Sequence, residues 1–190
     1  MNEATDRRSM RERMDAGELY VADDPELAEA HLRCMDLQEQ YNATSARQGD
    51  LRADLLRRML GHCGDGVVVR PPILLDYGRN LSIGARTFVN YHLVALDAAR
   101  ITIGADCQIA PNVQLLTAWH PLEPGPRRAK WEAATPITIG DNVWLGGGVI
   151  VLPGVSIGDD TVVGSGAVVT KDLPAGVVAV GNPARIVRQL

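Results

Sequence analysis

The chain has 190 residues, a formal net charge of −4, and a composition that is 46% hydrophobic but only 4% aromatic. That length supports one substantial domain with an appendage. The acidic balance excludes long-range attraction to nucleic acid or an anionic membrane surface, and a core of Val, Ile, Leu and Ala suits a narrow solenoid better than a broad sandwich.

The first sixty residues read as helical. Residues 5–16 are charged and contain Met10 and Met14, with Gly17 as a terminator. Asp24-Pro25 is an N-cap with proline in the first turn, and Glu26 favours that end electrostatically. Leu27, Ala30, Cys34, Leu37 and Tyr41 follow at three- and four-residue spacing and predict one apolar face. A further helix is expected beyond Arg47, with a capping box from Ser45 and Gln48 and a buried stripe of Leu51, Leu55 and Met59. Residues 1–62 therefore form a helical cap, because a solenoid needs its exposed first coil covered. The Gly17–Asp24 turn has two readings, part of the cap or a contact to substrate.

Residues 63–190 are expected to form the solenoid. Val67 to Gly78 enters it irregularly. Ile83 and Val89 then open six-residue units, and Ile103 comes twenty residues after Ile83 instead of eighteen, so two residues bulge near Ala98–Arg100. Ile103, Ile109 and Leu115 resume the beat. It fails from Ala118 to Pro136, a stretch with four prolines, two tryptophans and a histidine counted among its residues, which predicts a functional loop excursion over 118–136. From Ile139 to Lys171 the period of six is unbroken through openers Ile139, Leu145, Val151, Ile157, Val163 and Val169. Neither a helix nor ordinary strand alternation produces that period; hexapeptide repeats suggest a parallel β-helix, and antiparallel strands with Gly-rich turns are the competing architecture. After Lys171 the register decays into a short terminal segment.

Three cysteines (Cys34, Cys63, Cys107) are odd in number and lack metal-ligand spacing, so a reducing, cytoplasmic setting is expected, with no metal site. No apolar run approaches the length of a membrane span. His120, where the coil leaves for the loop, is either a surface histidine or a general base, since imidazole exchanges protons near neutral pH. Neither a nucleophilic serine elbow nor a zinc pattern accompanies it. Asn90, Asp76 and Asp97 stand at coil corners, where each is a turn residue or a hydrogen-bond partner for a polyol; Arg127 and Glu132 are further candidates on the loop. Trp144 is too large for a coil interior and is expected outside, against the returning loop or a neighbouring chain. Gly146-Gly147-Gly148 is a tight turn or a place where a ligand runs close to backbone. Thr170-Lys171 offers an ammonium to a phosphate or to solvent.

Met14-Asp-Ala-Gly-Glu-Leu-Tyr, Asp76-Tyr-Gly, Thr117-Ala-Trp-His-Pro, Pro136-Ile-Thr-Ile-Gly-Asp-Asn-Val-Trp-Leu-Gly-Gly and Gly166-Ala-Val-Val-Thr-Lys-Asp-Leu-Pro resemble the hexapeptide-repeat sugar O-acetyltransferases, nearest the maltose, galactoside and nodulation-type groups. The resemblance covers nearly the whole chain. It implies a mainly β fold, a left-handed parallel β-helix with an N-terminal α-helical cap, assembled as a homotrimer with acetyl-CoA in the groove between subunits. His120 falls on the family's catalytic histidine, and Asn90, Asp76 and Asp23 on acceptor-site positions. Gly147, Ser165, Thr170 and Lys171 fall on coenzyme-A positions, with Trp144 at the head of the same run. By the same analogy the Gly147 amide is the candidate oxyanion donor. Ala98 after Asp97, where the galactoside branch has an acid, and the unusual loop Glu123 to Lys130 argue against a galactoside acceptor. The implied reaction is direct acetyl transfer to a hydroxyl of a sugar-like acceptor. The competing readings are a non-sugar hydroxyl acceptor such as an antibiotic or amino-acid hydroxyl, a non-catalytic assembly solenoid, and a zinc hydratase, for which the histidines are too few.

Overall fold

A computed structural model describes residues 7–190 of the chain. Short parallel strands stack in three walls, and the chain runs round them as a left-handed parallel β-helix. The first wall pairs Cys63, Ile83, Ile103, Ile139 and Ile157 in register. The second pairs Val69, Val89, Ile109, Leu145 and Val163, and the third Leu75, Ala95, Leu115, Val151 and Val169. These side chains point inward and, apart from the half-buried Cys63, are buried, so each coil covers apolar surface that no single coil could bury.

The corner between the first and second walls needs a backbone turn with positive φ in coil after coil. Gly66 supplies it first, and Arg86, Asp106, Asn142 and Asp160 follow it. Asn and Asp tolerate that region better than most side chains. Arg86, which does not, is anchored by two bonds from its guanidinium to the Asp106 carboxylate, 2.7 and 2.6 Å long.

The corner between the third and first walls is where the chain departs from strict hexads. From Val151 to Ile157 it takes six residues, from Leu75 to Ile83 and from Ala95 to Ile103 eight, and from Leu115 to Ile139 twenty-four. The expected bulge near Ala98–Arg100 is therefore there, and a matching one at Asp76–Asn80 lies directly above it. The entry read as irregular is a regular coil, beginning with the strand His62–Cys63, whose two added residues hid the beat.

The 118–136 excursion leaves this same corner. It is built of regular structure: a strand Ala118–Trp119, a short helix Pro124–Arg128 and a strand Trp131–Ala134. The returning strand pairs antiparallel with Ala118–Trp119 on one side and with Tyr20–Val21 of the N-terminal region on the other. Cap and excursion thus share one three-stranded ribbon.

The N-terminal helices are α1 (Met10–Asp15), α2 (Pro25–Asn42) and α3 (Gly49–Met59). Residues 5 and 6, expected in the first helix, lie outside the described residues. Ser9 and Glu12 close a capping box at the start of α1, and Asp24 caps α2 by accepting from the Glu26 amide at 2.9 Å. The Ser45–Gln48 box forms only by half: Gln48 Oε1 accepts from the Ser45 amide, while α3 begins at Gly49. The buried stripe of α3 is Leu55, Leu56 and Met59; Leu51 is exposed, because the helix is rotated from the expected face.

One face of α2 closes the open edge of the first coil. Asn42 exchanges two 2.9 Å hydrogen bonds with the Ile73 backbone, Gln38 accepts from the Leu75 amide and Tyr41 donates to the Val69 carbonyl. An uncovered strand edge is a template for aggregation, and these side chains occupy its donors and acceptors. At the far end the register does not simply decay. Val177–Val180 joins the second wall in parallel, and Arg185–Gln189 folds back antiparallel on it.

Candidate active site

Every insertion at the third corner faces the cap, and between them lies an open cleft of about 450 Å³. Its walls include Tyr20 and Asp23 from the cap turn, His31 from α2, Asp76 and Tyr77 from the first bulge, and His120 and Glu132 from the ribbon. The cleft continues outward past His120 to Arg127 and Lys130.

His120 follows the strand Ala118–Trp119, which is pinned to the returning chain by ladder pairing and by a 3.0 Å bond from the Trp119 indole to Thr135 Oγ1. Its Nδ1 lies 3.2 Å from the Trp131 carbonyl. A carbonyl only accepts, so that contact puts the proton on Nδ1 and leaves the Nε2 lone pair facing the cleft. Glu132 Oε2 is 3.6 Å from Nε2. The His120 side chain is 52% exposed and that of Glu132 only 16%, so the imidazole is reachable while the carboxylate is largely covered.

Asp97 has a different role from the acceptor contact expected of it. It is fully buried, and its carboxylate accepts from the amides of Asp76 at 3.1 Å, Tyr77 at 2.8 Å and Asn80 at 3.1 Å. Asn80 returns a 2.8 Å bond to the Asp97 carbonyl. Asp97 therefore shapes the bulge that carries Asp76, and no acceptor reaches it. One coil below, buried Thr117 does the analogous work, donating to the Leu96 carbonyl and accepting from the Ala99 amide.

Asp76 lines the cleft. Burial pushes its carboxyl up to about 6, aided by the Asp97 and Glu132 charges and opposed by His31. His31 Nδ1 lies 2.8 Å from the Asp76 carbonyl, and its ring meets Tyr77 edge-on at 6.3 Å. Asp23 stands at the mouth in an ion pair with Lys130, so the cap turn is both cap and cleft wall. Arg127 lines the outer part, but its Nη1 donates to the Pro121 and Leu122 carbonyls at 3.0 and 2.7 Å and so braces its own loop.

The remaining expected residues lie elsewhere. Asn90, Gly147 and Ser165 all sit at the corner between second and third walls, one edge away from His120. Asn90 shares a small groove with Phe88, Gln108 and Trp144. Trp144 is exposed on the outer face of the second wall and does not meet the ribbon. Thr170 and Lys171 follow the last strand of the third wall, on the His120 edge but further along the axis. Gly146 is required by packing, since a Cβ there would lie 2.5 Å from the Ser165 amide nitrogen. Gly147 is not: its nearest neighbour would be the Pro111 carbonyl at 3.6 Å. The Gly146 and Gly148 amides bond to the Val163 and Pro111 carbonyls, and the Gly147 amide makes no hydrogen bond among the described residues.

Sequence reasoning passed over Tyr20, Tyr77, Lys130 and His31. For His31 a signal existed: it stands four residues after Leu27 and three before Cys34, a polar group on the buried stripe of α2. Among the described residues no group of three or more His, Cys, Asp or Glu side chains is arranged to hold a metal, and no helix is long and apolar enough to cross a membrane.

Comparison with known proteins matches this architecture. Residues 13–64 match the maltose acetyltransferase hexapeptide capping motif, and residues 136–171 match the bacterial transferase hexapeptide model of six repeats. Nodulation protein L of Rhizobium meliloti (strain 1021) is 48% identical over 179 residues, covering 94% of this chain and 98% of that protein. The chain belongs to the hexapeptide-repeat acetyltransferases. Within that family, the crystal structure of a maltose O-acetyltransferase from Clostridium difficile 630 superposes with a TM-score of 0.95 at 41% identity, over 97% of this chain and 99% of that one. A galactoside acetyltransferase in complex with coenzyme A superposes with a TM-score of 0.92 at 38% identity, over 96% and 91%. In this chain His120 and Glu132 both line the open cleft, His120 the more exposed of the two.

Proposed function

We propose that this acetyltransferase moves an acetyl group from acetyl-CoA to a hydroxyl of a small sugar-like acceptor bound between His120 and Asp76. The observation that carries the reading is His120, its Nδ1 turned to the Trp131 carbonyl and its ring lining a cleft edged with hydrogen-bonding groups, with the Glu132 carboxylate 3.6 Å from Nε2. Polyol hydroxyls find acceptors in Asp76, Asp23 and Glu132 and a further polar partner in His31.

His120 Nε2 takes the proton of the acceptor hydroxyl as that oxygen becomes the nucleophile. Glu132 lies where the resulting imidazolium N–H is formed and offsets its charge. As the new ester C–O bond forms and the thioester C–S bond breaks, His120 returns the proton to the departing thiolate. Acetyl-CoA, when bound, supplies the activated acetyl group. No side-chain nucleophile is needed, since Cys34 and Cys107 are buried and none of the cysteines lines the cleft. Thr170 and Lys171 are suited to the coenzyme's phosphates, and the side-chain-free wall at Gly147, which neither packing nor backbone dihedral demands, fits a ligand passing close to its free amide.

The His120 edge and the Asn90–Trp144–Gly147–Ser165 edge are separate in one chain. Joining them takes a second copy, which supports a homotrimer with sites between subunits. Residues 7–62 then serve as cap and cleft wall, and residues 63–190 as the scaffold. A thiol-release screen with acetyl-CoA over mono- and disaccharides, aminoglycosides and other hydroxylated compounds tests the proposal, with mass spectrometry of the product. O-acetylated sugar is the expected product; release only with non-sugar acceptors overturns the sugar assignment, and no release with any hydroxylated acceptor overturns the reading.

A further inference from the structure

Tyr20 presents an unexplained polar group. Its side chain has no exposed surface, and its hydroxyl makes no hydrogen bond. Buried polar groups are nearly always satisfied, and one left open in a cleft wall points to a functional reason. Tyr20 stands directly opposite Glu132 in the antiparallel pairing of cap and ribbon, so the two side chains share one face of the ladder. Glu132 is the first side chain that acts on the phenol after burial itself, and both effects push its proton affinity up, so Tyr20 stays a donor. Of the groups around the phenol, Glu132 is the one placed to accept from it.

We propose that Tyr20 is a positioning residue for the transfer reaction: its hydroxyl donates to Glu132 and holds that carboxylate against His120 Nε2. This rests on the reading of His120 and Glu132 given above. A carboxylate with one oxygen engaged by a buried phenol keeps its other oxygen in one place, whereas a carboxylate bonded only to water turns. The contact also joins the N-terminal cap to His120, since Tyr20 belongs to the strand Tyr20–Val21 that pairs with the ribbon. Removing the hydroxyl affects turnover through Glu132 and leaves acceptor affinity nearly intact.

The test is Tyr20→Phe, which keeps the ring and deletes one oxygen, made alone and together with Glu132→Gln. Losing a bond to a charged group is expected to lower kcat about ten- to a hundredfold, with KM for the acceptor changed less than about twofold. In the Glu132→Gln background the same change is expected to lower kcat by less than about twofold, since coupled residues are not additive. The melting temperature of Tyr20→Phe should change little, because the ring packing is kept and the Glu132 carboxylate, 16% exposed, can turn to water. Full turnover in Tyr20→Phe, an equal loss in both backgrounds, an effect confined to acceptor KM, or a marked fall in melting temperature each overturns the proposal. A parent enzyme inactive on every hydroxylated acceptor fails the function itself, and is told apart because these comparisons start from an active parent.

Discussion

Glu132 Oε2 stands 3.6 Å from His120 Nε2, while the opposite ring nitrogen is turned to the Trp131 carbonyl. On the proposed mechanism the backbone group sets the tautomer, and the carboxylate offsets charge that appears only during reaction. Glu132→Gln keeps the shape and removes that offset. It is expected to lower kcat by about ten- to a hundredfold, measured as thiol release at saturating substrates, with the melting temperature unchanged.

Asp97 is a stability residue. Asp97→Ala leaves three partly buried backbone amides without their acceptor. A loss of at least about 3 kcal/mol is expected, or failure to fold, read by chemical denaturation. A variant as stable as the parent but weakened only in acceptor binding contradicts this assignment.

Asp76 sets a pH signature. Its folded carboxyl is raised to about 6, first by burial and then by Asp97, against an ordinary value of 3.8. The folded state therefore binds the proton more tightly than the unfolded one, so stability is greatest below this window and falls as pH rises through it. Asp76→Asn should melt higher than the parent at pH 8 and nearly with it at pH 4, as followed by thermal denaturation across pH. A parent–variant difference that does not change with pH contradicts the shift.

How much of this was legible beforehand follows from what repeats. The beat from Ile139 to Lys171 predicted the stacked walls, and the resemblance supplied their handedness and His120. Asp76–Asn80 disguised the first coil because two added residues break the count of six. The last coil was missed because Ala179 pairs with Val163 after sixteen residues instead of eighteen. Asp97 looked like an acceptor contact because a carboxylate at a corner reads the same whether it faces solvent or three amides. Glu132 ranked low because its importance comes from facing Tyr20 across a ladder between segments far apart in the chain.

Lys171→Ala is expected to raise KM for acetyl-CoA and leave the acceptor KM unchanged, as measured by initial rates with each substrate varied. A change confined to the acceptor constant assigns the ammonium elsewhere.

Association is tested by sedimentation with activity followed on dilution. The separation of the His120 and Gly147 edges predicts an assembly, a trimer by the family resemblance, whose activity falls when it dissociates; a fully active monomer contradicts it.

The most direct test is His120→Ala, assayed for thiol release from acetyl-CoA with an acceptor on which the parent is active. Proton transfer by the imidazole predicts a loss of at least about a hundredfold in turnover, with the assembly and the melting temperature unchanged. Near-normal release by the folded variant would contradict the account.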